Sequence, residues 1–219
     1  MLRSFRSTSV WLLFSLVMTG CSVFQPSVEQ RLQRIQTTTG QDGTELSPQS
    51  IQQQLNELQQ LRQEYPQDAR IWLQSGRLSL KAGDCYGATV AFKQALGLEA
   101  EDADIFLGLG ICADYADNHD DAQNYYRQGI SRYPDSWPLQ NNLAYSRLLQ
   151  GNVQQAFKDL KYLANVYPFP AVKHNLAIAF AMQGEFDQAY KIDLELYGEH
   201  QAIKNQSAYR HLHQSGPKL

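Results

Sequence analysis

The residues able to do chemistry are few and scattered. Histidines stand at His119, His174, His200, His211 and His213, and cysteines at Cys21, Cys85 and Cys112. His211-x-His213 has a spacing that can hold a metal ion weakly, but a solvated helix end accounts for it as well. Asp114, Asp117, Asp120 and Asp121 crowd one stretch in the manner of a calcium loop. They lack the D-x-D-x-D-G order and the distal Glu that complete one, and a solvated turn between helices accounts for them better. No histidine pair has metalloprotease spacing, and neither a nucleophile elbow nor a phosphate-cradling glycine loop is present. With no base–nucleophile pair, no metal set and no cofactor motif, the sequence points away from an enzyme and from a small-molecule substrate. For Cys85 and Cys112 two readings stay open: a disulfide, which an exported protein can keep, or small buried core residues.

Cys21 has a different setting. Arg3 and Arg6 precede an apolar run from Val10 to Met18, and Gly20 stands just before the cysteine. A basic start, a short apolar core and a small residue make a secretory signal over residues 1–20. The run falls short of the roughly 20 apolar residues that span a bilayer. Met18-Thr19-Gly20-Cys21 resembles the bacterial lipobox, although Met replaces the usual Leu. The resemblance implies that Cys21 becomes the first mature residue and receives acyl chains such as palmitate. At about 0.8 kcal/mol per buried CH₂, several chains make a durable anchor. Ser22 rather than Asp follows the cysteine, a pattern that resembles outer-membrane sorting with the protein on the periplasmic face. Loss of Arg3 and Arg6 takes the formal charge from −3 to about −5. A mildly acidic chain without a basic cluster has no electrostatic footprint for nucleic acid and little attraction for anionic lipid.

The rest of the chain must be read for the elements that would present a surface. Residues 21–46 are rich in Gln, Ser, Thr and Gly, and their composition predicts a flexible polar tether. Ser47-Pro48 is a helix start, and Ile51, Leu55, Leu58, Leu61 and Tyr65 recur at helical spacing to make one helix over 47–66. Beyond it a 34-residue period governs the sequence. Ala88, Ala122 and Ala156 share one phase, each followed four residues later by Phe92, Tyr126 or Leu160. Pro66, Pro134 and Pro168 share another. Asn142-Leu143-Ala144, Gln150-Gly151 and Gln155-Ala156-Phe157 return 33 residues on as Asn175-Leu176-Ala177, Gln183-Gly184 and Gln188-Ala189-Tyr190. This is the tetratricopeptide (TPR) pattern, whose units are antiparallel helix pairs that must stack to bury their apolar faces.

The fold expected is therefore all-α: a TPR helical solenoid of about four repeats with flanking helices. The units read as 69–102, 103–136, 137–169 and 170–199, within a solenoid over 67–199, and residues 200–213 form a capping helix. The last unit departs from the pattern, with Lys173 and Asp193 at positions that are large and apolar elsewhere. TPR solenoids generally bind proteins or peptides in a concave groove lined by each unit's first helix. Carried onto this chain, the lining comprises Arg70, Leu73, Arg77, Leu107, Ile111, Asp114, Asn141, Tyr145, His174 and Ile178. Aliphatic residues beside two arginines would suit an amphipathic or extended segment with some acidic character.

The C-terminal third narrows the family. Asn175-Leu176-Ala177-Ile178-Ala179-Phe180, then Gly184-Glu185-Phe186-Asp187-Gln188-Ala189, then Asn205 with Ala208-Tyr209-Arg210, resembles the end of TadD-type lipoproteins of the tight-adherence (Tad, Flp pilus) secretion system. The resemblance covers roughly residues 68–212. It implies an outer-membrane accessory factor that holds a protein component, such as the secretin, while the pilus apparatus assembles. Two other families share the architecture: the type IV pilus pilotins, and the NlpI-like adaptors for peptidoglycan hydrolases.

Overall fold

The computed structural model describes residues 26–38 and 46–215, and all of its regular structure is helical. Eleven helices follow in order: α1 Val28–Thr38, α2 Pro48–Glu64, α3 Ala69–Lys81, α4 Cys85–Gly97, α5 Ala103–Tyr115, α6 His119–Arg132, α7 Trp137–Leu149, α8 Val153–Val166, α9 Pro170–Met182, α10 Phe186–Tyr197 and α11 Glu199–Ser215. Helices α3 to α10 make four antiparallel pairs, so the chain has the TPR solenoid fold that the period predicts. No described helix is long and apolar enough to cross a membrane. The signal over 1–20 and the lipidation expected at Cys21 lie outside the described residues.

Local chemistry explains the boundaries. Carboxylates of Asp68, Asp84 and Asp102 accept hydrogen bonds from the backbone N–H groups of Arg70 (3.0 Å), Gly87 (2.9 Å) and Asp104 (2.8 Å), capping α3, α4 and α5. Inside the second, third and fourth pairs the turn takes a positive φ at Asp117 (57°), Gly151 (85°) and Gly184 (83°), as it does at Gly83 (77°) in the first. Glycine reaches that region without penalty, and Asp is among the few other residues that tolerate it.

Packing within and between pairs depends on small residues meeting rings. The Phe92 ring is clasped by two glycines: a Cβ at Gly76 would lie 2.6 Å from it, and one at Gly108 only 2.1 Å. Gly110 clears the Tyr126 ring in the same way, at 2.2 Å. Ala88, Ala122, Ala156 and Ala189 are fully buried where the helices of each pair cross. Close approach at these points lets Phe92 and Tyr126 fill the interior to crystal-like density.

The tether expected over 21–46 is corrected within the described residues. Val28–Thr38 is a helix, its Leu32 and Ile35 buried against Leu58, Leu61 and Ile71, and Leu46 packs against the same cluster. A reciprocal cap starts it: Gln30 N donates to Ser27 Oγ at 3.2 Å, and Ser27 N donates to Gln30 Oε1 at 3.0 Å. Arg31 then bridges to Glu57 (3.2 Å) and Glu64 (2.9 Å) on α2. A polar composition hid an apolar stripe at positions 28, 32 and 35, which one helical face gathers together.

Candidate partner-binding groove

First helices and second helices occupy different sides of the solenoid. Close contacts run from α3 to α5, from α5 to α7, from α7 to α9 and from α9 to α11. Among the described residues no second helix approaches the next second helix in this way. The first helices therefore crowd together on the inner side, and the second helices fan outward. Residues four apart on one helix share a face, and the same register recurs in each unit. Leu73, Leu107, Asn141 and His174 are one such row, and Arg77, Ile111, Tyr145 and Ile178 are the next.

The ten expected lining residues differ in what the structure leaves them free to do. Leu73, Leu107, Ile111, Tyr145 and Ile178 are half-buried, with part of each side chain left for a ligand. Asp114 and Asn141 are structural instead. Asp114 is buried and accepts from Ser146 Oγ (2.7 Å) and Tyr126 Oη (3.0 Å), while His119 Nδ1 lies 2.8 Å away. The Asn141 side-chain oxygen accepts from Asn175 Nδ2 at 3.1 Å, joining α7 to α9. Burial, reinforced by the Asp114 carboxylate, raises the pKa of Tyr145, so its hydroxyl stays neutral and able to donate.

Both arginines are already matched. Arg77 Nε donates to Asp104 (2.7 Å) and its Nη2 to Asp102 (2.8 Å). Arg70 Nη2 donates to Asp68 at 2.7 Å, and its Nη1 reaches Glu29 of α1. Hydrogen bonds to Asp68 first, and to Glu29 second, hold the guanidinium in its charged form, while Arg70 keeps the Asp68 carboxyl below its ordinary pKa. With two carboxylates on each arginine, the preference for an acidic segment loses its basis. The unpaired part of the lining is aliphatic with one tyrosine hydroxyl, and the paired Arg77 and His174 border it. Sequence reading missed Glu29, which belongs to the stretch taken as tether; the Ser27–Gln30 cap is the signal that could have found it.

At the C-terminal end, His174 stands with its Nδ1 3.8 Å from Asp193 and its ring edge-on to Tyr197. Asp193 is 0% exposed and accepts from Asn205 Nδ2 of α11 at 2.9 Å. Lys173 pairs with Glu195. The two residues that break the apolar pattern thus close the last pair through polar contacts. His213 Nδ1 lies 3.0 Å from the carbonyl oxygen of Met182, and its ring packs on Phe186. The aspartates after Asp114 disperse as well: Asp120 accepts from Gln150 and Asp121 from Asn118. No group of three or more potential metal ligands gathers among the described residues. Cys85 and Cys112 are brought into contact in one core cluster as free thiols. Burial first, and the Cys85 thiol second, push Cys112 up to about 12.

Comparison with known proteins agrees with this geometry. The tetratricopeptide-repeat family profile matches residues 113–168. No curated protein matches the sequence. Among solved structures, the thermophilic TPR protein TTC0263 of Thermus thermophilus aligns with a TM-score of 0.64 at 17% identity, over 83% of this chain and 97% of that one. PilW, a widely conserved type IV pilus biogenesis factor, aligns at 0.61 and 18% identity, over 84% and 91%. YrrB, a TPR protein with an unusual peptide-binding site, aligns at 0.57 and 13% identity, over 73% and 84%. At such identities the likeness establishes the fold.

Proposed function

We propose that this TPR solenoid is a non-catalytic scaffold, lipid-anchored through Cys21 to the periplasmic face of the outer membrane. There its inner groove holds a protein component during assembly of a Tad/Flp pilus apparatus, the secretin being one candidate. The observation that carries the reading is that Leu73, Leu107, Ile111, Tyr145 and Ile178 stand half-buried on adjoining first helices. An apolar, pre-formed trough of this kind takes an amphipathic helix or extended segment at little ordering cost. The NLA and G-E-F-D-Q-A stretches supply the Tad assignment, and the lipobox supplies the membrane. A second reading, a pilotin-like assembly factor, draws support from the similar fold of a type IV pilus biogenesis factor.

The test is genetic. Deletion of the gene should abolish surface Flp pili and deplete assembled secretin, and the native gene should restore both. A copy carrying Ile111→Arg with Tyr145→Asp should fold but restore neither. Normal pili after deletion, in a gene neighbourhood of wall hydrolases rather than a secretin, secretion ATPase and prepilin, would overturn the Tad reading.

A further inference from the structure

Successive units meet at a shared register: the residue that opens a second helix stands near one late in the next unit's first helix. Between the second and third units these are His119, opening α6, and Ser146 on α7. His119 Nδ1 lies 2.8 Å, and Ser146 Oγ 2.7 Å, from the same Asp114 oxygen, so one atom ties this junction. Val153 and Ala179 take the register between the third and fourth units and lie in one apolar cluster. Between the first and second units it falls on Cys85 and Cys112, each 34 residues before His119 and Ser146.

The polar tie of the second junction has no counterpart at this register of the first. The position of Asp114 is Leu80 one unit earlier, and Leu80 packs into the same cluster as the two cysteines. Two thiols meet there instead. Cys112 is 6% exposed, Cys85 is half-buried, and the Cys85 thiol acts directly on Cys112. Burial holds Cys112 protonated, so the sulfur that meets an incoming reagent first is Cys85, at the start of α4.

We propose that Cys85 and Cys112 are a disulfide site, closed by thiol–disulfide exchange when the chain reaches an oxidising compartment. This rests on the exported state proposed above, because disulfides persist outside the cytoplasm. The oxidant is a protein or small-molecule disulfide of that compartment, R–S–S–R. The Cys85 thiolate attacks one of its sulfurs, forming a Cys85–S–S–R mixed disulfide and releasing R–S⁻. Cys112 then gives up its proton and attacks the Cys85 sulfur, and the second R–S⁻ leaves. The chain loses two electrons and two protons, which the two R–SH products carry away. The new bond ties the start of α4 to the last turn of α5, the helix that presents Leu107 and Ile111 to the groove. It stabilises the solenoid by restricting the unfolded chain. Free thiols, and with them the titration of Cys112, belong to the reduced protein.

The test maps the cysteines of the full chain in two samples. One comes from the membrane of intact cells, quenched with acid and alkylated in urea without reductant. The other is purified in detergent, reduced, and then exposed to oxidised glutathione. Trypsin places Cys85 in residues 82–93, Cys112 in residues 94–127 and Cys21 in a third peptide. Both samples should give 82–93 linked to 94–127. The linked chain should melt above its reduced form, and reductant should not move the Tm of Cys85→Ala. Alkylated Cys85 and Cys112 on a chain whose Cys21 carries lipid would overturn the disulfide and leave the anchor standing. A purified chain that stops at glutathione on Cys85, or that links either cysteine to Cys21, would overturn it too, since Cys112 would then lie out of reach. Equal Tm for the linked and reduced chains would refute the staple. Pilus assembly by the inner groove is read separately, in the deletion strain.

Discussion

Tyr126 donates its hydroxyl hydrogen to the carboxylate of Asp114 at 3.0 Å, joining the second helix of one unit to its first helix inside the core. Ser146, from the next unit, donates to the same carboxylate at 2.7 Å. One aspartate therefore ties together three helices of two repeats. Asp114→Ala should leave both hydroxyls buried without an acceptor, at about 1–3 kcal/mol each. Urea unfolding should place Asp114→Asn between this variant and the native chain, since the amide oxygen can still accept. Equal stability for all three would mean that the network contributes nothing.

The alkaline limb of stability has a sign fixed by burial. Cys112 is pushed up to about 12 from an ordinary value of 9.0, and burial beside a carboxylate also raises Tyr126 and Tyr209. In each case the native state holds its proton more tightly than the unfolded chain. The Cys112 contribution is complete below about pH 9 and is lost as pH rises towards 12, while that of the two tyrosines is complete below about pH 10 and is lost at higher pH. The Tm should therefore fall steadily above pH 9, and Cys112→Ala should flatten the first part of that fall. A Tm that rises or holds from pH 9 to 11 would contradict the burial of these groups.

Helix crossings leave no room for added atoms. Ala122 is fully buried where α5 and α6 meet, and a Cβ at Gly110 would lie 2.2 Å from the Tyr126 ring. Ala122→Leu and Gly110→Ala should each cost about 1–3 kcal/mol through overpacking. For a domain of this size that corresponds to about 2–4 °C in Tm per kcal/mol. Calorimetry on the two variants checks the assigned repeat phase directly.

How far the sequence was legible follows from what repeats and what does not. Ala88, Ala122 and Ala156 with Phe92, Tyr126 and Leu160 set the helix pairs, because a fixed period reports steric needs that every unit shares. The groove was legible only as a register. Periodicity placed Leu73, Ile111 and Tyr145 on the inner face, but it could not show that Arg70 and Arg77 would each be claimed by two carboxylates. Those partners depend on side-chain reach between elements, and Glu29 comes from a helix that composition concealed. Asp114 was read as a groove residue for the same reason: its register is right, and its carboxylate turns inward to Tyr126 and Ser146.

The anchor has a simple test. Cys21→Ser should remove acylation and release the protein from the membrane fraction. Retention of metabolic palmitate label by the variant would refute the assignment of the lipid to Cys21.

The most direct measurement of the central claim places a photo-crosslinking residue at Ile111 or Tyr145 on the inner helices, and at Tyr86 on the outer surface, where the side chain is 82% exposed. Irradiated in the living cell, the inner positions should each give one discrete adduct containing the same component of the pilus apparatus, and Tyr86 should give none. Adducts of equal yield from Tyr86, or inner adducts only with wall hydrolases, would contradict the account.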